Sequence, residues 1–164
     1  MRAAEYPDWA DHLCGVACLR MALGARGIVP PRAFDLAREL TVRGGYVVQP
    51  DGFIRGLIYA PAVAWLREAH GIAAEVRVDV PADDVAAQVA QGAMFIASVH
   101  PAIRWACADP PARGGHLVLV FGLADGALRF HNPSGDVPAS QSDARLPVED
   151  FARFYAGRGI LIPR

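Results

Sequence analysis

Charge of either sign is in short supply in this sequence. Its 164 residues include 16 basic and 17 acidic side chains, a net of −1, so there is no basic excess for nucleic acid or an anionic membrane surface as obligatory partner. Long apolar runs are missing too. Nothing approaches the ~20 uninterrupted apolar residues of a membrane span, and the opening MRAAEYPDWADHL lacks the apolar stretch of a secretory signal. These two absences predict a cytoplasmic chain. Cysteine is scarce: Cys14, Cys18 and Cys107 are all there is. Three cannot all pair, and a reducing compartment keeps them as thiols. Repeats and low-complexity tracts are absent as well. What is present is apolar content, 53% of the chain, enough for one compact domain over residues 1–164.

The first part reads as helical. From Leu13 to Ala25 the one charged residue is Arg20, which predicts a helix buried on most sides and ended around Gly24 and Gly27. PPRAFDLAREL (30–40) predicts a second helix, with Pro31 near its start and Phe34, Leu36, Ala37 and Leu40 inward. Residues 42–61, VRGGYVVQPDGFIRGLIYAP, are punctuated by glycine and read as a long lid-like loop. That loop either folds over the core or forms an apolar wall for a peptide side chain. A third helix is expected from Pro61 to His70, stopped by Gly71.

Beyond this point strands dominate. IAAEVRV alternates, AMFIASVH is continuously apolar, and ADDVAAQVAQG between them is a short helix. After the loop PAIRWACADPPARGG, the stretch HLVLVFGLADGALRFHNPSGD predicts two strands joined by a turn at Ala124–Gly126. PVEDFARFYAG is a late helix and GILIP a last strand. Helices first and antiparallel strands afterwards indicate an α+β fold, with an N-terminal helical half packed on a C-terminal antiparallel sheet. A cleft between the halves is the expected place for chemistry.

Within DHLCGVACLRMAL (11–23), Cys14 falls where the first long helix begins. The first turn of a helix has amides without intrahelical acceptors and roughly half a positive charge, and both favour a thiolate. Gly15 leaves the backbone beside the sulfur open to a substrate carbonyl, and the Cys14 N–H is placed to help hold an oxyanion. A thiolate needs a base, and His116 and His131 lie on the predicted hairpin. A three-residue turn sets His116 opposite Ser134 and diagonal to Asn132, about 7–8 Å between backbones, with His131 on the other face. A two-residue turn reverses that parity. In the first register Asn132 accepts from the imidazole and aims its other nitrogen at Cys14, the three-part logic of cysteine acyl transfer.

CGVACLRMAL, followed about 100 residues later by GGHLVLVFGL and then FHNPSG, resembles the C39-type branch of the papain-like cysteine peptidases. The resemblance covers most of the chain in order and spacing. It implies a papain-like fold, Cys14 as nucleophile, His116 as general base and acid, Asn132 as orienting residue, a thioester intermediate, no cofactor, and a peptide or other amide as substrate. The family's substrates are double-glycine leaders cut by peptidase domains of exporters; no transporter domain accompanies this sequence, so a stand-alone hydrolase is expected. The family's oxyanion glutamine, a few residues before the cysteine, has no counterpart in residues 1–13. Asp8 falls near that position, and His12 or the indole N–H of Trp9 are the replacement donors. Losing one such donor costs about 100–1,000-fold in rate. Two other classes therefore stand beside the hydrolase: a catalytically weak or inactive peptidase fold that binds a peptide, and an acyl transferase using the same cysteine.

The remaining candidates read as structural. Cys18, one turn after Cys14 in an apolar run, is core packing, and Cys107 is incidental to its loop. A metal site from Cys14, Cys18, Cys107 and His116 does not match a closed-site spacing, so no metal is expected. His131 is a core or supporting residue and His70 a cation at a helix C-terminus, while His100, beside Pro101 at a strand end, is either local in role or a residue lining the cleft.

Overall fold

The computed structural model describes residues 6–105 and 109–164, and the chain divides into two compact units, Met1–Ala73 and Ala74–Arg164. The first unit begins with a short helix α1 (Tyr6–Trp9) and a 3₁₀ turn, Ala10–His12. These lead into α2 (Cys14–Ala25), which buries Val16, Cys18, Leu19, Ala22 and Leu23. α3 (Ala33–Val42) turns Leu36, Ala37 and Leu40 inward at helical spacing, while Phe34 is half-buried. α4 spans Tyr59–His70 and is closed by Gly71 at φ +65°, the left-handed cap that glycine adopts without a Cβ penalty. The indole of Trp65 donates to Glu39 Oε1 at 2.9 Å, tying α4 to α3.

Residues 42–61 are not a loose lid. They contain a two-stranded hairpin, β1 (Val47–Val48) on β2 (Ile54–Arg55), and α4 starts two residues earlier than expected. Tyr46, Ile54 and Leu57 are buried, anchoring this stretch to the unit's core. Turn chemistry explains the difference. Asp51 Oδ1 accepts from the Phe53 amide at 3.0 Å, Gly52 supplies φ +85°, and Gln49 N–H closes on Phe53 O at 2.8 Å.

The second unit is built on a six-stranded antiparallel sheet in the order β3-β8-β4-β5-β6-β7. Its strands are β3 (Glu75–Arg77), β4 (Met94–Val99), β5 (His116–Ala124), β6 (Ala127–His131), β7 (Ala144–Pro147) and β8 (Tyr155–Ile162). Helices α5 (Ala82–Ala90) and α7 (Val148–Phe154) cover one face, and a short α6 (Pro138–Gln141) sits between β6 and β7. Val85, Val89, Phe151 and Phe154 from the helices pack with Phe95, Val99, Val118, Val120, Leu128 and Phe130 from the strands. Ile96, Leu117, Leu119, Ile160 and Ile162 are also buried, which explains why β4 and β5 read as continuous apolar runs rather than alternating ones. Gly159 has no room for a side chain: a Cβ there would collide with the Ile96 carbonyl. β7, α6 and the 3₁₀ turn Pro101–Arg104 carry too few periodic residues to signal themselves in the sequence.

The β5–β6 turn corrects one expectation and preserves its consequence. Ala124 pairs with Ala127, so the loop is the two residues Asp125–Gly126 rather than Ala124–Gly126. Both have positive φ, 53° and 75°, as a type I′ turn requires. That parity alone would send His116 to the wrong face. A β-bulge between Val120 and Gly122 restores it, and beyond the bulge Leu119 pairs with His131. The extra residue is Phe121, stacked on His131 at 4.4 Å, with the Arg129 guanidinium 5.1 Å over its ring. Arg129 is held in turn by a two-pronged pair with Asp143, 2.7 and 2.9 Å.

Candidate functional site

The second unit holds a buried polar cluster where β5 begins and β6 ends. His116 is 6% exposed and Asn132 1%, among few polar residues inside this unit. Asn132 Oδ1 lies 2.8 Å from His116 Nε2 and 3.1 Å from the Ser134 amide nitrogen. A backbone N–H only donates, so the atom it meets is the amide oxygen and not the amide nitrogen. The same oxygen faces Nε2, which must therefore carry a proton. In the neutral ring this leaves Nδ1 with the lone pair. Ser134 Oγ adds a third donor to Oδ1 at 3.3 Å and lies 3.0 Å from Nε2. Asn132 Nδ2 is buried without an acceptor among the described residues; the orientation of this side chain is set by its oxygen.

Local chain geometry holds the cluster. Asn132 N–H donates to Gln141 O at 2.8 Å, Gly135 N–H returns to Asn132 O at 3.2 Å, and Gln141 Nε2 donates to Gly135 O at 2.8 Å. The turn packs so tightly that a Cβ on Gly135 would meet the Ser140 carbonyl group at 2.5 Å. From the loop after β4, Arg104 Nη2 donates to Ser134 Oγ at 3.0 Å, and the Trp105 indole donates to Asp136 Oδ2 at 3.1 Å. Burial lowers the His116 pKa below its ordinary value; the Asn132 hydrogen bond opposes this and the Arg104 cation adds to it. The ring is thus biased towards the neutral form, the form that accepts a proton.

The first unit places Cys14 as the first residue of α2, half-buried, after Leu13, whose side chain caps nothing. The Ala17 amide is the first whose bond to Leu13 O closes a helical turn, 2.9 Å, so the amides before it have no intrahelical acceptor. Gly15 is buried directly after the cysteine. Cys18, four residues on, is fully buried, and burial holds its thiol well above the ordinary range, with Cys14 adding to the shift. It belongs to the core. Of the residues near the expected glutamine position, Asp8 is exposed. Trp9 is buried with its ring edge-on to Tyr46 at 5.6 Å, and His12 is half-buried and edge-on to Phe53 at 6.2 Å.

Other candidates have local roles. His131 Nδ1 accepts from the Asp143 amide at 3.2 Å. His100 Nδ1 accepts from the Ala102 amide at 3.2 Å and caps the following 3₁₀ turn. His70 ends α4 against Trp65, ring centroids 4.8 Å apart. Among the described residues no group of three or more His, Cys, Asp or Glu is placed to hold a metal ion, and no helix is long and apolar enough to cross a membrane. Cys107 lies outside the described residues.

The structure brings His116 and Asn132 together through one short bond, while Cys14 belongs to the first unit. Sequence reasoning placed Ser134 opposite His116 without giving it a task, and it missed Arg104 altogether. An arginine in a proline-rich loop carries no periodic signal.

No protein-family model and no curated protein matches the sequence. Solved structures do. The peptidase domain of Streptococcus ComA, a bi-functional ABC transporter involved in a quorum-sensing pathway, matches over 93% of both chains with TM-score 0.61 and 19% identity. A C39-like peptidase from Bacillus anthracis matches over 94% of this chain and 90% of its own, TM-score 0.63 and 16% identity. A double-glycine-motif protease from an AMS/PCAT transporter, in complex with a leader peptide, matches over 92% and 84%, TM-score 0.52 and 20% identity. The chain has the α+β, papain-like fold of the C39 peptidase domains.

Proposed function

We propose that this chain is a cysteine peptidase or amide hydrolase, a single C39-like domain in which Cys14, His116 and Asn132 act as nucleophile, base and orienting residue. The observation that carries the reading is the tautomer: Asn132 Oδ1 fixes the proton on His116 Nε2 and leaves Nδ1 basic in a ring biased towards neutrality. A cysteine opening a buried helix, on a chain with the C39 fold, supplies the partner for that base.

In this mechanism Nδ1 takes the Cys14 thiol proton and the thiolate attacks the substrate carbonyl carbon. The imidazolium, still bonded to Asn132, returns the proton to the leaving amine as the C–N bond breaks, which leaves a thioester. Water then gives a proton to Nδ1 and attacks the thioester carbon, releasing the acid and regenerating the thiol. The helix amides beside Cys14 hold the oxyanion. Peptide is the proposed substrate class, by likeness to the double-glycine-motif protease solved with a leader peptide. The test is turnover of a peptide library with Cys14→Ala and His116→Gln as controls, together with mass spectrometry for an acyl adduct on Cys14. Turnover or an adduct that both substitutions abolish is expected. Binding without turnover or adduct would move the chain to the peptide-binding class, and conjugates formed with added amines would make it a transferase.

A further inference from the structure

Tyr46 is a polar side chain with no evident task. It is 1% exposed, and its hydroxyl proton has no acceptor among the described residues. A buried donor left unmade is a cost that proteins rarely carry without use. The ring is held firmly. Trp9 packs edge-on against it at 5.6 Å, and the preceding Gly45 is bonded to Leu40 O at 2.6 Å and to the Ile58 amide at 2.9 Å. Gly45 also lies so close to α3 that a Cβ would sit 3.0 Å from that same carbonyl oxygen. The groups that act on the hydroxyl belong to α2. The Val16 amide lies against its oxygen, and the titratable groups facing it are Cys14 first and Cys18 second. Cys18 is a neutral core thiol. Among the described residues, Cys14 is the group there whose ionisation would give the O–H an acceptor.

We infer that Tyr46 is a positioning residue for the nucleophile: its buried hydroxyl, oxygen towards the Val16 amide, donates its proton to the Cys14 thiolate once that thiolate forms. The inference rests on the peptidase reading and adds a donor to the cysteine in a sequence whose residues 1–13 hold no glutamine. A hydrogen bond to a charged acceptor is stronger than one between neutral groups, so the hydroxyl pulls Cys14 towards ionisation. Burial and the neighbouring thiols hold the phenol itself protonated.

The experiment follows iodoacetamide modification of Cys14 by peptide mass spectrometry across pH, in wild type, in Tyr46→Phe, and in protein with 3-fluorotyrosine at position 46. Tyr46→Phe also takes the oxygen away from the buried Val16 amide, whereas 3-fluorotyrosine keeps the hydroxyl there, so its profile is free of any stability change that the phenylalanine brings. The alkylation midpoint of Tyr46→Phe rises by about one pH unit, so the rate below the midpoint falls about tenfold while the high-pH plateau is unchanged. The more acidic fluorophenol moves the midpoint the other way. Three superimposed profiles would overturn the inference and leave the peptidase reading intact. A wild-type Cys14 that titrates like an ordinary cysteine would overturn the peptidase reading and the inference with it.

Discussion

Replacing Asn132 with aspartate tests the tautomer argument through its electrostatics. The new carboxylate occupies the place of the amide, 2.8 Å from His116 Nε2 and within reach of both Ser134 donors. In wild type the ring sits beside a neutral oxygen and burial lowers its pKa. A carboxylate at that distance favours the imidazolium by about 1–3 pH units, roughly 1.4–4 kcal/mol. The two proteins then depend on pH in opposite senses through this residue. Wild type carries no His116 penalty above the unfolded value near 6.5; as pH falls below it, the unfolded chain binds a proton that the native ring refuses, and stability is lost. In Asn132→Asp the contribution is full below about 6.5 and disappears as pH rises through the elevated native value. NMR titration of the His116 ring protons reads the shift directly, and urea unfolding at pH 5 and 8 reads the sign. An Asn132→Asp midpoint at or below that of wild type would refute the placement of Oδ1 against Nε2.

Three further outcomes follow from the same geometry. Deleting Phe121 removes the bulge, so the two-residue turn sets the parity and His116 moves to the opposite face; the ring titration then loses its response to Asn132 substitutions. Gly135→Ala forces the β6–α6 turn apart, costs on the order of 1–3 kcal/mol in urea unfolding, and frees the Asn132 amide for hydrogen exchange because its bond to Gln141 O depends on that turn. Arg104→Met removes the donor to Ser134 and a cation that disfavours the imidazolium, so the His116 titration midpoint rises.

The sequence made some of this legible because periodicity is a strong signal. α2, α3 and α4 declare themselves through burial at helical spacing, and β4 and β5 through unbroken apolar runs. The His116–Asn132 pairing was legible for a less secure reason. A three-residue turn was expected where Asp125–Gly126 makes a two-residue one, and the bulge at Phe121 compensates for the missing residue. Nothing local announces a bulge; it is fixed by the Arg129–Phe121–His131 stack and by Asp143, contacts between residues on separate strands. The hairpin within residues 42–61 was missed because two-residue strands are too short for a period to show. The same blindness concealed Tyr46, whose interest lies in a hydroxyl proton with no acceptor among the described residues, a property that belongs to packing.

Peptide-level alkylation of Cys14 at pH 7, in wild type and in His116→Gln, measures most directly whether the sulfur and the imidazole work as a unit. A coupled pair reacts at least about tenfold more slowly in His116→Gln, the size of a midpoint moved by one pH unit. Equal rates in the two proteins would contradict the coupling.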